Sequence, residues 1–193
     1  MTGGDGPGTH PQPPADEIIT LFNDLYGARE NTWLTRAEDD PCYLPGRGGQ
    51  PRNLICFAHG FYTSALHEIA HWLLAGPDRR RLVDYGYWYQ PGERSDAVRS
   101  RFFAVEKNNQ SLEWFLTVAA GIRFFVSVDE PAMPAGRLQE FRRAVAERAR
   151  QRVMEGLPAA AAPLLQALTG RYGTTAALSS LQERLRRREI LPE

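Results

Sequence analysis

The sequence predicts an α+β fold: a single domain in which a small mixed sheet packs against several helices. Two kinds of segment predict it. Short apolar runs bounded by turn formers, with NLICFAH at 53–59 the clearest, have the length of buried strands. Longer segments carry large side chains every third or fourth position, the period of an amphipathic helix. At 193 residues the chain is long enough to bury one sizeable core.

The first fifteen residues, MTGGDGPGTHPQPPA, hold almost no large apolar side chain and predict a disordered tail, leaving 16–193 as the domain. DEIITLFNDLYG follows with Ile18, Leu21, Phe22 and Leu25 in helical register and Gly27 as its stop. DDPCYLPGRGGQPR, from Asp39, is dense in turn formers and predicts a loop. After the strand at 53–59, TSALHEIAHWLLAG predicts a helix with Leu66, Ile69, Ala70 and Leu73 on one face and Gly76 ending it. LVDYGYWY is aromatic and β-prone, QPGE predicts a turn, and RFFAVE a further strand ending at Glu106. SLEWFLTVAAGIRFF predicts a second apolar helix. From Gly136 the chain becomes Arg-rich and amphipathic, with Leu138, Phe141, Val145 and Ala149 on one side; Leu178, Leu181 and Leu185 mark a last helix.

The 23 basic and 23 acidic residues cancel, so bulk charge gives no case for direct nucleic-acid binding. Two cysteines, Cys42 and Cys56, make no disulfide framework, and no signal segment or membrane-length apolar run is present. These features predict a soluble cytoplasmic protein without a membrane partner.

Chemistry concentrates in HEIAH at 67–71, which holds two of the chain's four histidines. Residues i and i+4 of a helix lie one turn apart and only about 40° around the axis, so His67 and His71 can aim at one metal. Glu68 lies about 100° round the same helix, within reach of a metal-bound water or a substrate. H-E-x-x-H is a zincin-type zinc-protease signature. The bland alternative is two ordinary histidines beside a solvent-facing acid.

No histidine follows His71, so a carboxylate, or His59 from upstream, must complete the ligand set. The downstream acids in ordered-looking segments are Asp84, Glu93, Asp96, Glu106, Glu113, Asp129 and Glu130. Glu106, at a strand-to-helix junction, is the first choice and Glu113 the second; a helix-start acid and an exposed helix acid are their ordinary roles. With zinc, such a site hydrolyses, and Glu68 is the catalytic base on the bound water. With iron(II), it is the two-histidine, one-carboxylate triad of oxygenases, in which Glu68 orients a ligand or holds the substrate.

FAHGFYTSALHEIAHWLLAG, then RRRLVDYGYWYQPGER, then VEKNNQSLEWFLTVAAG, together with CYLPG near residue 42, resemble the elongation factor P hydroxylase family in the same order. The resemblance runs from about residue 42 to 129 and more weakly to the C-terminus. It implies hydroxylation of the β-lysylated lysine of elongation factor P, a site of two histidines and a carboxylate holding Fe(II), with zinc possible, and a fold similar to a zincin-like ribosomal-RNA maturation endoribonuclease. By resemblance His67 and His71 are the motif histidines, and Glu106 is the acid of the family's VE pair. The family commonly reads VEVKPQAL where this chain has VEKNNQSL.

A β-lysyl-lysine side chain is apolar along its stem and cationic at its amines. Tyr85, Tyr87, Trp88 and Tyr89 offer ring faces, and Asp84 or Glu93 a counter-charge; alternation along a strand would send half of the rings into the core. His59 is a substrate contact, a group supporting the ligands, or a structural residue. Arg79, Arg80 and Arg81 form a candidate docking element for an acidic protein, while the Arg run at 184–188 fits a solvated helix face. Three functions remain open: an elongation factor P hydroxylase, a zinc peptidase or endoribonuclease, and a binding domain that keeps its histidines for structure.

Overall fold

The computed structural model describes residues 12–47, 49–86, 96–128 and 133–193. Among these are three strands and six helices: α1 (Ala15–Phe22), β1 (Thr32–Arg36), β2 (Cys42–Leu44), β3 (Asn53–Phe57), α2 (Tyr62–Leu74), α3 (Asp96–Ala119), α4 (Ala135–Glu155), α5 (Ala162–Tyr172) and α6 (Thr175–Arg186). The sheet is mixed, in order β1-β3-β2, with β1 parallel and β2 antiparallel to β3. Leu34, Tyr43 and Ile55 point from the three strands into one hydrophobic core shared with the helices. Helix α2 packs on β3, and α3 is the hub: it touches α2, α4, α5 and α6. The fold is α+β, as expected.

Of the expected tail, residues 1–11 lie outside the described residues; Gln12 accepts hydrogen bonds from the Thr63 N–H and hydroxyl, and Ala15 opens α1. Gly27 does not end the first helix. The chain continues through a π-turn at Asn23–Gly27 and a further turn at Ala28–Glu30, and it stops at left-handed Asn31. Gly27 is instead required by Trp33, whose Nε1 would stand 3.0 Å from any Cβ there. Helix α2 ends at Leu74, just ahead of Gly76 and Pro77, close to the expected stop.

Two strand expectations fail. RFFAVE lies inside the 24-residue helix α3, where Phe103 packs against Phe141 of α4 with ring centroids 5.4 Å apart. The β-prone side chains there, Phe102, Phe103 and Val105, are partly buried on the helix. LVDYGYWY begins as a tight turn, because Asp84, Tyr85 and Gly86 all take left-handed backbone angles (φ 47°, 57° and 73°) that no strand contains; its last three residues lie outside those described. The expected apolar helix at 111–125 is the second half of α3, but Gly121 (φ 74°) halts it and residues 122–128 run on without regular structure. Strand β2 arises in the expected loop after Asp39, and β1 and α5 were not foreseen.

The outer edge of β1 is sealed by one side chain. Asn23 accepts from Leu34 N (2.8 Å) and donates to Leu34 O (3.2 Å), so the edge strand finds both partners inside the π-turn. Asn23→Ala leaves the N–H of buried Leu34 unpaired and should cost about 1–3 kcal/mol, read as a lower midpoint in urea denaturation. An unchanged midpoint would show that the edge does not depend on it.

Candidate metal centre

Helix α2 turns Leu66, Ile69, Ala70 and Leu73 into the core, which leaves His67 and His71 on the side facing α3. Helix α3 answers with Glu106, Asn109, Gln110 and Glu113, spaced i, i+3, i+4 and i+7, so all four share one face. All four are buried.

The two imidazoles bring Nε2 to within 3.3 Å of Nε2. Glu106 places Oε1 3.3 Å from His71 Nε2 and Oε2 3.6 Å from His67 Nε2. Glu113 takes the far side of His67, its Oε2 2.8 Å from Nδ1. With Nδ1–H donating to Glu113, His67 Nε2 carries a lone pair toward His71 and Glu106. Donor atoms of His67, His71 and Glu106 all lie within 4.8 Å of one another. Two imidazole nitrogens and one carboxylate oxygen form a donor set suited to a divalent transition metal, so the residues fit such an ion.

The two acids that compete in the sequence thus divide the work. Glu106 stands with the two Nε2 atoms, and Glu113 holds the His67 ring from its Nδ1 side. Gln110 steadies the arrangement: its Nε2 donates to Glu106 Oε2 (3.2 Å) and Ser127 O (2.7 Å), and its Oε1 accepts from Ser127 N (3.1 Å). Asn109 Nδ2 lies 3.3 Å from the His67 carbonyl. Neither Asn109 nor Gln110 was singled out beforehand, although a polar i, i+3, i+4, i+7 set within an apolar helix is a signal.

Electrostatics follow from crowding these groups together. Burial disfavours a charged His67, but the Glu113 carboxylate foremost, then Glu106, outweighs it and holds the imidazole up at about 10. Burial also disfavours a charged Glu106, yet the hydrogen bond with His71 and the two imidazoles hold its carboxyl down at about 2. Glu68, half-buried, is pushed up by its burial, with the two histidines opposing.

The remaining candidates divide. Tyr85 is buried, stacked on Tyr43 (centroids 4.4 Å, 16°) and nearly parallel to the His71 ring at 6.4 Å. Asp84 is engaged: Oδ1 accepts from Tyr43 N at 2.7 Å, which fixes the turn. His59 is exposed in the left-handed turn between β3 and α2 (φ 61°) and is not part of the triad. Tyr87, Trp88, Tyr89 and Glu93 lie outside the described residues. In the arginine triplet, Arg80 is structural: its guanidinium covers the Trp72 ring at 3.9 Å and donates to Trp72 O at the end of α2. Arg79 donates to Tyr85 O (3.4 Å), and Arg81 is exposed.

A pH dependence follows for the metal-free protein. His67, raised when folded, contributes stability that is fully present below its ordinary value of 6.5 and lost as pH climbs through about 10. Glu106, depressed when folded, contributes stability present above 4.5 and lost as pH falls through about 2. Metal-stripped wild type should therefore lose urea resistance from pH 6 to pH 9 more steeply than His67→Gln; parallel curves would contradict the coupling.

A family profile described as "Elongation factor P hydroxylase" matches residues 21–182. The chain is also 46% identical over 159 residues to the "Elongation factor P lysine hydroxylase" of Haemophilus influenzae, covering 82% of this chain and 89% of that protein. A matched region this long contains both helices that carry His67, His71 and Glu106, and on that evidence the chain belongs to the elongation factor P hydroxylase family.

Proposed function

We propose that this protein hydroxylates a lysine side chain of elongation factor P, that the lysine is the β-lysylated one, and that the metal it uses is iron(II). The carrying observation is the triad His67, His71 and Glu106, found in a chain of this family. His67 and His71 would each give Nε2 and Glu106 a carboxylate oxygen, the set that non-haem iron oxygenases use, which leaves positions for dioxygen and substrate. Bound iron would supply the dioxygen activation that insertion of oxygen into an unactivated C–H bond requires.

The protein's own contribution is placement. Glu113 holds the His67 ring in the tautomer and orientation that present Nε2, and Gln110 holds Glu106. The Tyr85 ring beside His71 forms a wall for the substrate stem, and the half-buried setting limits water near the reacting carbon. We place the protein in the cytoplasm, where its substrate acts in translation; no helix among the described residues is long and apolar enough to cross a membrane. Neither a nucleic acid nor a membrane is needed as partner. A helix bearing H-E-x-x-H packed on a small mixed sheet supports likeness to the zincin-type endoribonuclease fold.

Mass spectrometry of β-lysylated elongation factor P, incubated aerobically with iron-loaded protein, should show one added oxygen on the modified lysine. Cleavage of peptide or RNA by the same preparation without oxygen, and no added oxygen, would return the site to the hydrolases. Metal titration tests the division between the acids. Glu106→Ala should abolish stoichiometric binding, while Glu113→Gln should weaken it by about 10–100-fold. The reverse order would make Glu113 the ligand.

A further inference from the structure

Glu68 is the one carboxylate on the motif helix, and it has no hydrogen-bond or ion-pair partner among the described residues. Its neighbours in the sequence and across the site are engaged: His67 with Glu113, His71 with Glu106. Glu68 is only half-buried, yet close enough to both imidazoles, to Tyr85 and to the Cys42–Cys56 pair for its charge to act on each. It therefore lies on the side of α2 that neighbours Tyr85 and the Cys42–Cys56 pair of the β2–β3 ladder.

A second unpartnered group lies on that side. The Tyr85 hydroxyl is buried with no hydrogen-bond partner, in a residue only 4% exposed. A buried phenol without a partner forfeits about 1–3 kcal/mol, and folds rarely tolerate one without reason. The backbone here is also forced: Asp84, Tyr85 and Gly86 are left-handed in succession, and two of them are not glycine. Such strain persists where the surroundings over-determine it, typically at a ligand site. Asp84, the other acid nearby, has its side chain committed to Tyr43 N.

We propose that Glu68 and Tyr85 form the subsite for the substrate's terminal ammonium, Glu68 as its counter-charge and the Tyr85 hydroxyl as a neutral acceptor. This rests on the lysine-hydroxylase reading above. An ammonium has three donors and no acceptor, so it matches a carboxylate and a phenol oxygen that both lack partners. Glu68 is then a specificity residue that need not move a proton.

The experiment measures equilibrium binding of β-lysylated elongation factor P to metal-loaded protein without oxygen, and KM and kcat with oxygen. The lysine form keeps the terminal amine of its β-lysyl group free; a second form has that amine acetylated, which removes its charge. Wild type should prefer the lysine form by about tenfold to a hundredfold, the worth of a charge-assisted hydrogen bond. Glu68→Gln should keep full metal content, raise KM by that factor and bind both forms alike. Tyr85→Phe should lose a smaller part of the preference. The proposal is overturned if Glu68→Gln discriminates as wild type does, or if its binding is unchanged while kcat collapses, since the acid then acts at the metal. Wild type that neither binds nor hydroxylates the lysine form removes the lysine-hydroxylase reading and this subsite with it, a result visible before any variant is made.

Discussion

Helices α2 and α3 meet through a polar seam, and at its centre the His67 imidazole donates to a Glu113 carboxylate that is 7% exposed. A carboxylate this deep is costly unless something meets its charge, and breaking such a pair leaves the full desolvation penalty behind. The same holds for Glu106, which relies on His71 and Gln110. The seam therefore fixes register as a greasy contact would not. Sliding α3 by one turn, about 5.4 Å, would part Glu113 from His67 Nδ1 and Glu106 from His71 Nε2. Gln110 extends the constraint to Ser127, and buried Arg152 of α4 grips Ser111 and Asn108 from the other side of α3. Polar residues set the register of the long central helix, and its second half joins the apolar core through Leu112, Phe115, Leu116 and Ala119.

The second constraint acts at the C-terminal end of α2. Arg80 caps it by donating to Trp72 O while lying on the Trp72 ring, so the chain leaving the helix is drawn back over it. Tyr43 O–H donates to Arg80 O, and Tyr43 N donates to Asp84. These bonds and the Tyr43–Tyr85 stack offset a left-handed backbone that costs on the order of 1–3 kcal/mol per non-glycine residue. The product is a Tyr85 ring held near His71 from the strand side, opposite the seam with α3. Both histidines are thus positioned from separate directions by elements far apart in the chain.

How much of this was legible depends on the range of the physics involved. His67 and His71 share a helix face by local geometry alone, so the pair could be read from five letters. Glu106 and Glu113 could be recognised as candidates, but not sorted. They stand seven residues apart, about 10.5 Å along α3, and both reach His67 because one imidazole offers nitrogens on two sides. Which acid meets which nitrogen is settled by how α3 packs on α2, a tertiary fact. The same holds for RFFAVE: Phe102, Phe103 and Val105 favour a strand locally, and only the contact of Phe103 with Phe141 makes the helix the better burial. Strands β1 and β2 hid for a related reason. CYL is three residues between turn formers, and TWLTR gains its identity from pairing with β3 on one edge and Asn23 on the other.

The two cysteines bear on which metal such a site prefers. Cys42 and Cys56 face each other across β2 and β3, near enough to Glu68 to feel its charge. Burial raises both thiols, Cys56 to about 12, and the nearby acids Asp84 and Glu68 push the same way. The thiolate is the reactive form of cysteine, and both shifts work against it. Burial is the larger cause at each sulfur, and Glu68 and Asp84 add to it. Neither sulfur belongs to the cluster of His67, His71 and Glu106. What those three side chains offer is therefore nitrogen and oxygen alone, a donor set that suits a different range of divalent ions from a thiolate site.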